Sequence, residues 1–316
     1  MPLPKDEKIL ALANDILTQF GKLFGEHPGF RPAHAKGAMF TGTFTPSAGA
    51  SSLSRAAHVT RPSTRVTARF SNSTGIPLLP DNDPNANPRG LATRFHLAEH
   101  VHTDIVSHST DGFPARTGAE FLDFLRAVGS SDPAHLSGSP LEAFLKSHPA
   151  ALAFVQTPKP APVSFATETY FGVTAMRFSN AAGASRFGRF RIVPEAGSAH
   201  LDDAAARAKS PSYLFEEIAE RVGKGPLRFK VQVQVARTDD VVDDATVHWP
   251  EDRQLVELGK LELTAPIPNS PHEEKQIIFD PIPRVDGIDP SADPLFELRA
   301  AVYLISGRRR RAAPGS

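Results

Sequence analysis

The chain has 316 residues, enough for one large domain or two small ones around a substantial buried core. Its 35 basic and 35 acidic residues cancel, leaving no overall field to attract nucleic acid or an anionic membrane surface. Cysteine is absent, which excludes disulfides and every thiolate-held metal, so any metal here must use His, Tyr, Met or carboxylate.

No run of about 18 apolar residues occurs, so the sequence predicts no membrane span. Near the N-terminus the apolar run 9–13 is broken by Asn14 and Asp15, which makes a poor secretory segment. Ile9, Leu12, Ala13, Ile16, Leu17 and Phe20 instead recur at helical spacing, and the expectation is a soluble cytoplasmic chain. Extended runs follow at 37–45, 65–71, 91–97 and 102–107. The stripe Phe121, Leu122, Phe124, Leu125 and Val128 predicts a helix ending at Gly129. A second helix over 141–155 must kink or divide at Pro149.

Strands at 174–178 and 188–193 flank the polar connection 179–183, which suits a hairpin. Ser210 and Pro211 look like an N-cap and first helical residue, with Gly223 as the stop. The strongest strand signal is 227–235, where five apolar residues alternate with Arg228, Lys230, Gln232 and Gln234. Another strand is expected at 255–263. Asp293 and Pro294 cap a last helix that Gly307 should stop, with Leu295, Leu298, Arg299, Val302 and Tyr303 along one side. So many strands with short connections predict an antiparallel sheet closed into a barrel.

Tyr303 stands four residues after Arg299, so the two share a helix face. A guanidinium beside a phenol favours the phenolate, the form able to ligate ferric iron. His96, His100 and His102 beside Glu99 look superficially like a zinc cluster. They fall in a predicted hairpin without an H-E-x-x-H helix and are expected to point to different faces.

Four blocks, in this order, resemble the haem catalases over roughly residues 27–310. They are Arg31-x-x-His34-Ala35-Lys36-Gly37 with Gly42 and Phe44, and Arg65-Val66-Thr67-Ala68-Arg69-Phe70-Ser71. Next come Asn87-Pro88-Arg89-Gly90 through Phe95, then Phe279-Asp280-Pro281 with Gly287-Ile288 and Arg299-x-x-x-Tyr303. The chain is shorter than ordinary catalases and so is similar to the small catalase-related peroxidases. The resemblance implies an α+β fold, an antiparallel β-barrel enclosing the haem and flanked by helices. It would form one domain over 1–316, with a helical arm at 1–26 and a basic tail at 308–316.

On the same resemblance, Tyr303 would ligate the iron of haem b and Arg299 would support it. His34 would move the peroxide proton, and Ser71 would accept from its other ring nitrogen. Arg31, Arg69 and Arg310 would bind the haem propionates, although the run Arg308–Arg311 reads equally as a complement to a helix C-terminus. Phe113 would pack on the distal haem face. The family's distal asparagine is absent from 104–110, where His108, or Ser109 after a one-residue slip, takes its place. Ala33 stands where many catalases have a valine that narrows the access channel.

These departures imply a peroxidase that prefers organic hydroperoxides and an external reductant. The rivals are a true catalase, a fatty-acid hydroperoxide isomerase of allene oxide synthase type, and a non-enzymatic haem-binding protein. Partners would be a small-molecule peroxide and a reductant, with no nucleic acid and no membrane, in a homodimer.

Overall fold

The structure, a computed structural model, describes residues 2–268 and 270–314. The outermost residues of the expected arm and tail, 1 and 315–316, lie outside them. The strands are β1 (Gly37–Pro46), β2 (Thr64–Ser71), β3 (Gly90–Ala98), β4 (Val101–His108), β5 (Tyr170–Phe171), β6 (Met176–Ser179), β7 (Ser185–Pro194), β8 (Leu227–Val235), β9 (Leu255–Pro266) and β10 (Ile288–Pro290). Every pairing is antiparallel. Running β7-β5-β4-β3-β2-β1-β9-β8, the sheet closes on itself where β7 pairs β8, from Gly188 opposite Val235 to Pro194 opposite Phe229. Closure leaves these eight strands without a free edge. β6 and then β10 extend the sheet beyond β7.

The barrel is filled by its own aromatic side chains. Phe70 of β2 reaches Phe229 of β8 at 6.1 Å between ring centroids, although the two strands are not neighbours. It also stacks on Phe165 at 5.3 Å, and the Tyr170 hydroxyl donates to the Phe165 carbonyl at 2.8 Å. Side chains alternate across a strand, so Arg69 and Ser71 project to the outer face of β2. The expectation that the barrel encloses the cofactor is thereby corrected: the cavity that Arg69, Ser71, Gly90 and His108 line lies outside, against β2–β4.

The helices are α1 (Glu7–Phe24), α2 (Ala57–Thr60), α3 (Gly118–Gly129), α4 (Pro140–Ser147), α5 (Pro149–Gln156), α6 (Asp203–Arg207), α7 (Tyr213–Lys224), α8 (Ser270–Gln276) and α9 (Leu295–Ala312). Pro149 divides α4 from α5, as the missing amide predicts. A capping box at Thr117 and Glu120 opens α3. α1, α3 and α9 pack together through Ile16, Phe20, Leu122, Leu125 and Leu298, and roof the outer face of the barrel. Asp104 of β4 accepts from Arg94 at 2.8 Å and from the backbone amide of Asp280 at 2.7 Å, which fixes the chain leading into α9.

Three helix ends differ from expectation. α7 begins at Tyr213, because Ser210 donates its hydroxyl to Glu216 at 2.6 Å instead of capping, and it ends at Lys224 with Gly225, not Gly223, as its C-cap. α9 runs through Gly307 to Ala312, so residues 308–312 of the expected tail are helical. Gly307 serves close packing: a Cβ there would come within 2.3 Å of Ile278 Cδ1. His96 and His102 are direct cross-strand partners and so share a face, contrary to expectation. Even so, no cluster able to hold a bare metal ion occurs among the described residues.

His58 of α2 is buried against Phe44 and Phe95, and its Nδ1 has no partner among the described residues. Burial lowers its pKa to about 4. Between that value and the ordinary 6.5 the unfolded chain binds a proton that the folded ring refuses. Stability should therefore fall as pH drops through this window, by on the order of 3 kcal/mol for one such group. His58→Leu is expected to flatten that part of the decline, read from urea midpoints at pH 7 and pH 4.5. An unchanged slope would show that His58 is not a source of it.

Candidate functional site

Between the outer face of β2–β4 and the helical roof lies a cavity of about 260 Å³. Its strand wall carries Arg69 and Ser71 from β2, Gly90 from β3 and His108 from β4. α9 contributes Arg299, Tyr303 and Arg310, each one or two turns apart on the same face. The loop between α1 and β1 supplies Arg31 and His34, and Phe113 comes from the segment after β4. All the site residues expected from sequence therefore line one space, apart from the alternative Ser109. That side chain accepts from the Arg89 backbone amide at 2.9 Å and is not part of the wall, which leaves His108 there.

Tyr303 presents its hydroxyl to the cavity beside Arg299, whose Nη2 donates to it at 3.3 Å. The same guanidinium lies over the phenol ring, 5.7 Å from its centroid, and reaches Thr174 Oγ1 at 3.5 Å. Arg299 is thus held from a second side, and its charge stays against the phenol.

His34 sits at φ 56°, a left-handed conformation that costs a non-glycine residue of order 1–3 kcal/mol. Its Nδ1 lies 3.0 Å from Ser71 Oγ. Gly90 makes this possible, since a Cβ there would come within 2.5 Å of that oxygen and 2.9 Å of the ring nitrogen. With Ser71 accepting from Nδ1–H, the lone pair is on Nε2. Burial, then Arg69, lowers the ring to a pKa of about 4, so it is neutral and basic at ordinary pH.

His108 has the opposite tautomer. The Thr110 amide donates to its Nδ1 at 3.3 Å, so the neutral ring must carry its proton on Nε2. Burial and the nearby His34 push it down to about 3. The strand wall thus offers one imidazole that accepts through Nε2 and one that donates through Nε2.

At one end of the cavity Arg31, Arg69 and Arg310 converge. Burial, reinforced by their mutual repulsion, lowers Arg31 well below its ordinary range and Arg310 to about 10. Arg310 donates through Nε and Nη2 to the carbonyls of Lys275 and Ile277, and Arg311 through Nε to Gln276. The basic run does complement a helix C-terminus: it occupies the last turn of α9, and Arg310 and Arg311 also satisfy carbonyls at the C-terminus of α8.

A haem fits this donor set. A phenol and a neutral imidazole share the cavity, apolar side chains such as Val106, Phe113 and Val302 line its walls, and an arginine-rich end calls for carboxylates. Sequence reasoning missed Phe121, Thr174 and Glu274 at this site. Phe121 and Thr174 looked like ordinary core and strand residues. Glu274 lay in a short polar stretch without periodicity, and only the fold brings it to Arg69.

The family model described as Catalase matches residues 19–314. A catalase-related peroxidase of Mycolicibacterium paratuberculosis is 35% identical over 291 residues, 90% of each chain. One of Synechococcus elongatus is 32% identical over 302 residues, covering 94% of this chain and 88% of the relative. Catalase A from Saccharomyces cerevisiae superimposes with a TM-score of 0.80 at 22% identity, over 98% of this chain and 65% of that one. A fungal catalase gives 0.79 at 23%, with 64% of its length covered. The chain thus spans just under two thirds of the solved catalases it matches.

Proposed function

The chain belongs to the catalase family, among its small catalase-related peroxidases, and we propose that it reduces hydroperoxides at a haem b with electrons from an external donor. The observation that carries this reading is the single cavity shared by the Tyr303 phenol and the His34 imidazole. Tyr303 would hold the iron, with Arg299 keeping positive charge against its oxygen. Arg31, Arg69 and Arg310 would hold the haem carboxylates. When bound, the haem supplies the redox chemistry that breaks the peroxide O–O bond.

The chain's own part is proton transfer and positioning. His34 Nε2 takes the proton from one peroxide oxygen and gives it to the other, so that water or an alcohol can leave. Ser71 keeps its Nδ1–H engaged and the ring in that tautomer. His108 Nε2–H donates to the peroxide, in place of the family's amide. Phe113, packed on Phe121 at 4.9 Å, walls the cavity and keeps it dry. The same reading has the chain working as a homodimer in the cytoplasm. No helix among the described residues is long and apolar enough to cross a membrane.

Ala33 and the apolar walls favour hydroperoxides that carry an alkyl group. The haemin-loaded chain is expected to oxidise a dye reductant several-fold faster with cumene hydroperoxide than with hydrogen peroxide, and to evolve little oxygen. Higher turnover with hydrogen peroxide and vigorous oxygen release would make it a true catalase. Rearranged fatty-acid product without reductant would make it an isomerase. A haem-loaded sample inert to every peroxide would be a binding protein.

A further inference from the structure

Glu274 of α8 lies among the arginines expected to bind the haem carboxylates. Arg69 donates to Glu274 Oε2 through Nε at 2.9 Å and through Nη2 at 2.7 Å, and Arg31 Nη1 stands 3.4 Å from the same oxygen. The side chains are well covered, with relative exposures of 3% for Arg69, 13% for Glu274 and 14% for Arg31. Arg69 Nη2 also donates to the Ala35 carbonyl at 3.2 Å. The Nε and Nη2 donors of Arg69, the forked edge best suited to a carboxylate, are therefore already engaged. The other oxygen of Glu274 accepts from the Ser270 hydroxyl, at 3.4 Å. The grip is lopsided, with one oxygen of one carboxylate facing two guanidiniums.

We propose that Glu274 is a resident counter-ion that a haem carboxylate must displace from Arg69, so that this residue sets haem affinity and steadies the haem-free chain. The inference rests on the haem reading above. α8 is well placed for the exchange, because its C-terminal carbonyls are gripped by Arg310 and Arg311 while Glu274 hangs from its last turn. Releasing the side chain needs a rotation of Glu274 and no loss of those contacts. Removing the competing carboxylate leaves Arg31 and Arg69 without the only anion they pair with among the described residues, and therefore more receptive to an incoming one.

The test is a titration of the haem-free chain and of Glu274→Gln with haemin, followed by Soret absorbance, beside thermal unfolding of both forms. The variant is expected to bind haemin about tenfold more tightly, to melt lower than wild type without haem, and to match it when loaded. With haemin dimethyl ester, which has no carboxylates, the two chains should bind alike. Equal or weaker haemin binding by the variant, or the same advantage with the ester, would overturn the proposal. A wild-type chain that takes up no haemin at all would overturn the haem reading and this inference with it. Should the amide variant not fold without haem, Glu274→Asp, one methylene shorter, should show a smaller gain, and no gain would again decide against the proposal.

Discussion

Tyr303→Phe is expected to abolish retention of haemin through gel filtration and to weaken binding beyond the roughly 10–100-fold typical of losing an outer-shell partner. The substitution removes one oxygen and leaves the half-buried ring, so α9 should keep its packing. Leu295, Leu298 and Ala301, which carry that packing, lie on the same helix but do not depend on the hydroxyl. Arg299 loses its 3.3 Å contact with the phenol and keeps Thr174. Far-ultraviolet circular dichroism should be unchanged while the Soret band disappears. A variant that holds haemin as tightly as wild type would show that the iron is held elsewhere. His34 cannot then be assigned to one face and Tyr303 to the other. Arg299→Leu should have a milder effect, since it removes the charge beside the phenol and spares the oxygen itself.

What could be read in advance follows from how local each feature is. β8 declares itself through strict alternation over 227–235, and Pro149 marks its break through a missing amide. β5 and β10, with two and three residues, are too short for any periodicity and exist because β4 and β7 offer partners to the first and β6 to the second. Gly307 looked like a helix stop because a glycine near a helix end usually is one, yet here Ile278 occupies the room its side chain would take. The filled barrel interior is a property of Phe70 meeting Phe229 across closed strands, which no run of neighbouring residues encodes. The site divides in the same way. Arg299 and Tyr303 share a helix turn and are legible as a pair. His34 and Ser71 needed the resemblance, being 37 positions apart. Glu274 and Arg69, 205 positions apart and outside the matched blocks taken together, needed the fold.

His34→Ala should keep haem and lose turnover by about 10²–10⁴-fold, the range supplied by a positioned acid–base group. Haem retention should survive because Tyr303, the proposed iron ligand, and two of the three arginines, Arg69 and Arg310, lie on other elements of the cavity. The pH profile gives the sharper reading. Proton abstraction needs the neutral ring, and burial with Arg69 lowers His34 from 6.5 to about 4. The wild-type rate should therefore hold as pH is lowered through 6.5 and fall only on approaching 4, where the ring protonates. Deleting the imidazole should remove that acid limb along with most of the rate. The backbone needs its own control, since residue 34 sits at φ 56° and alanine inherits the strain. His34→Gly relieves it, so a glycine variant as inactive as the alanine one assigns the loss to the imidazole. Added imidazole should restore part of the rate in either variant, entering the space between Ser71 and the peroxide. If the acid limb persists near pH 4 without His34, some other group moves the proton, and His108, lowered to about 3, is the next to replace.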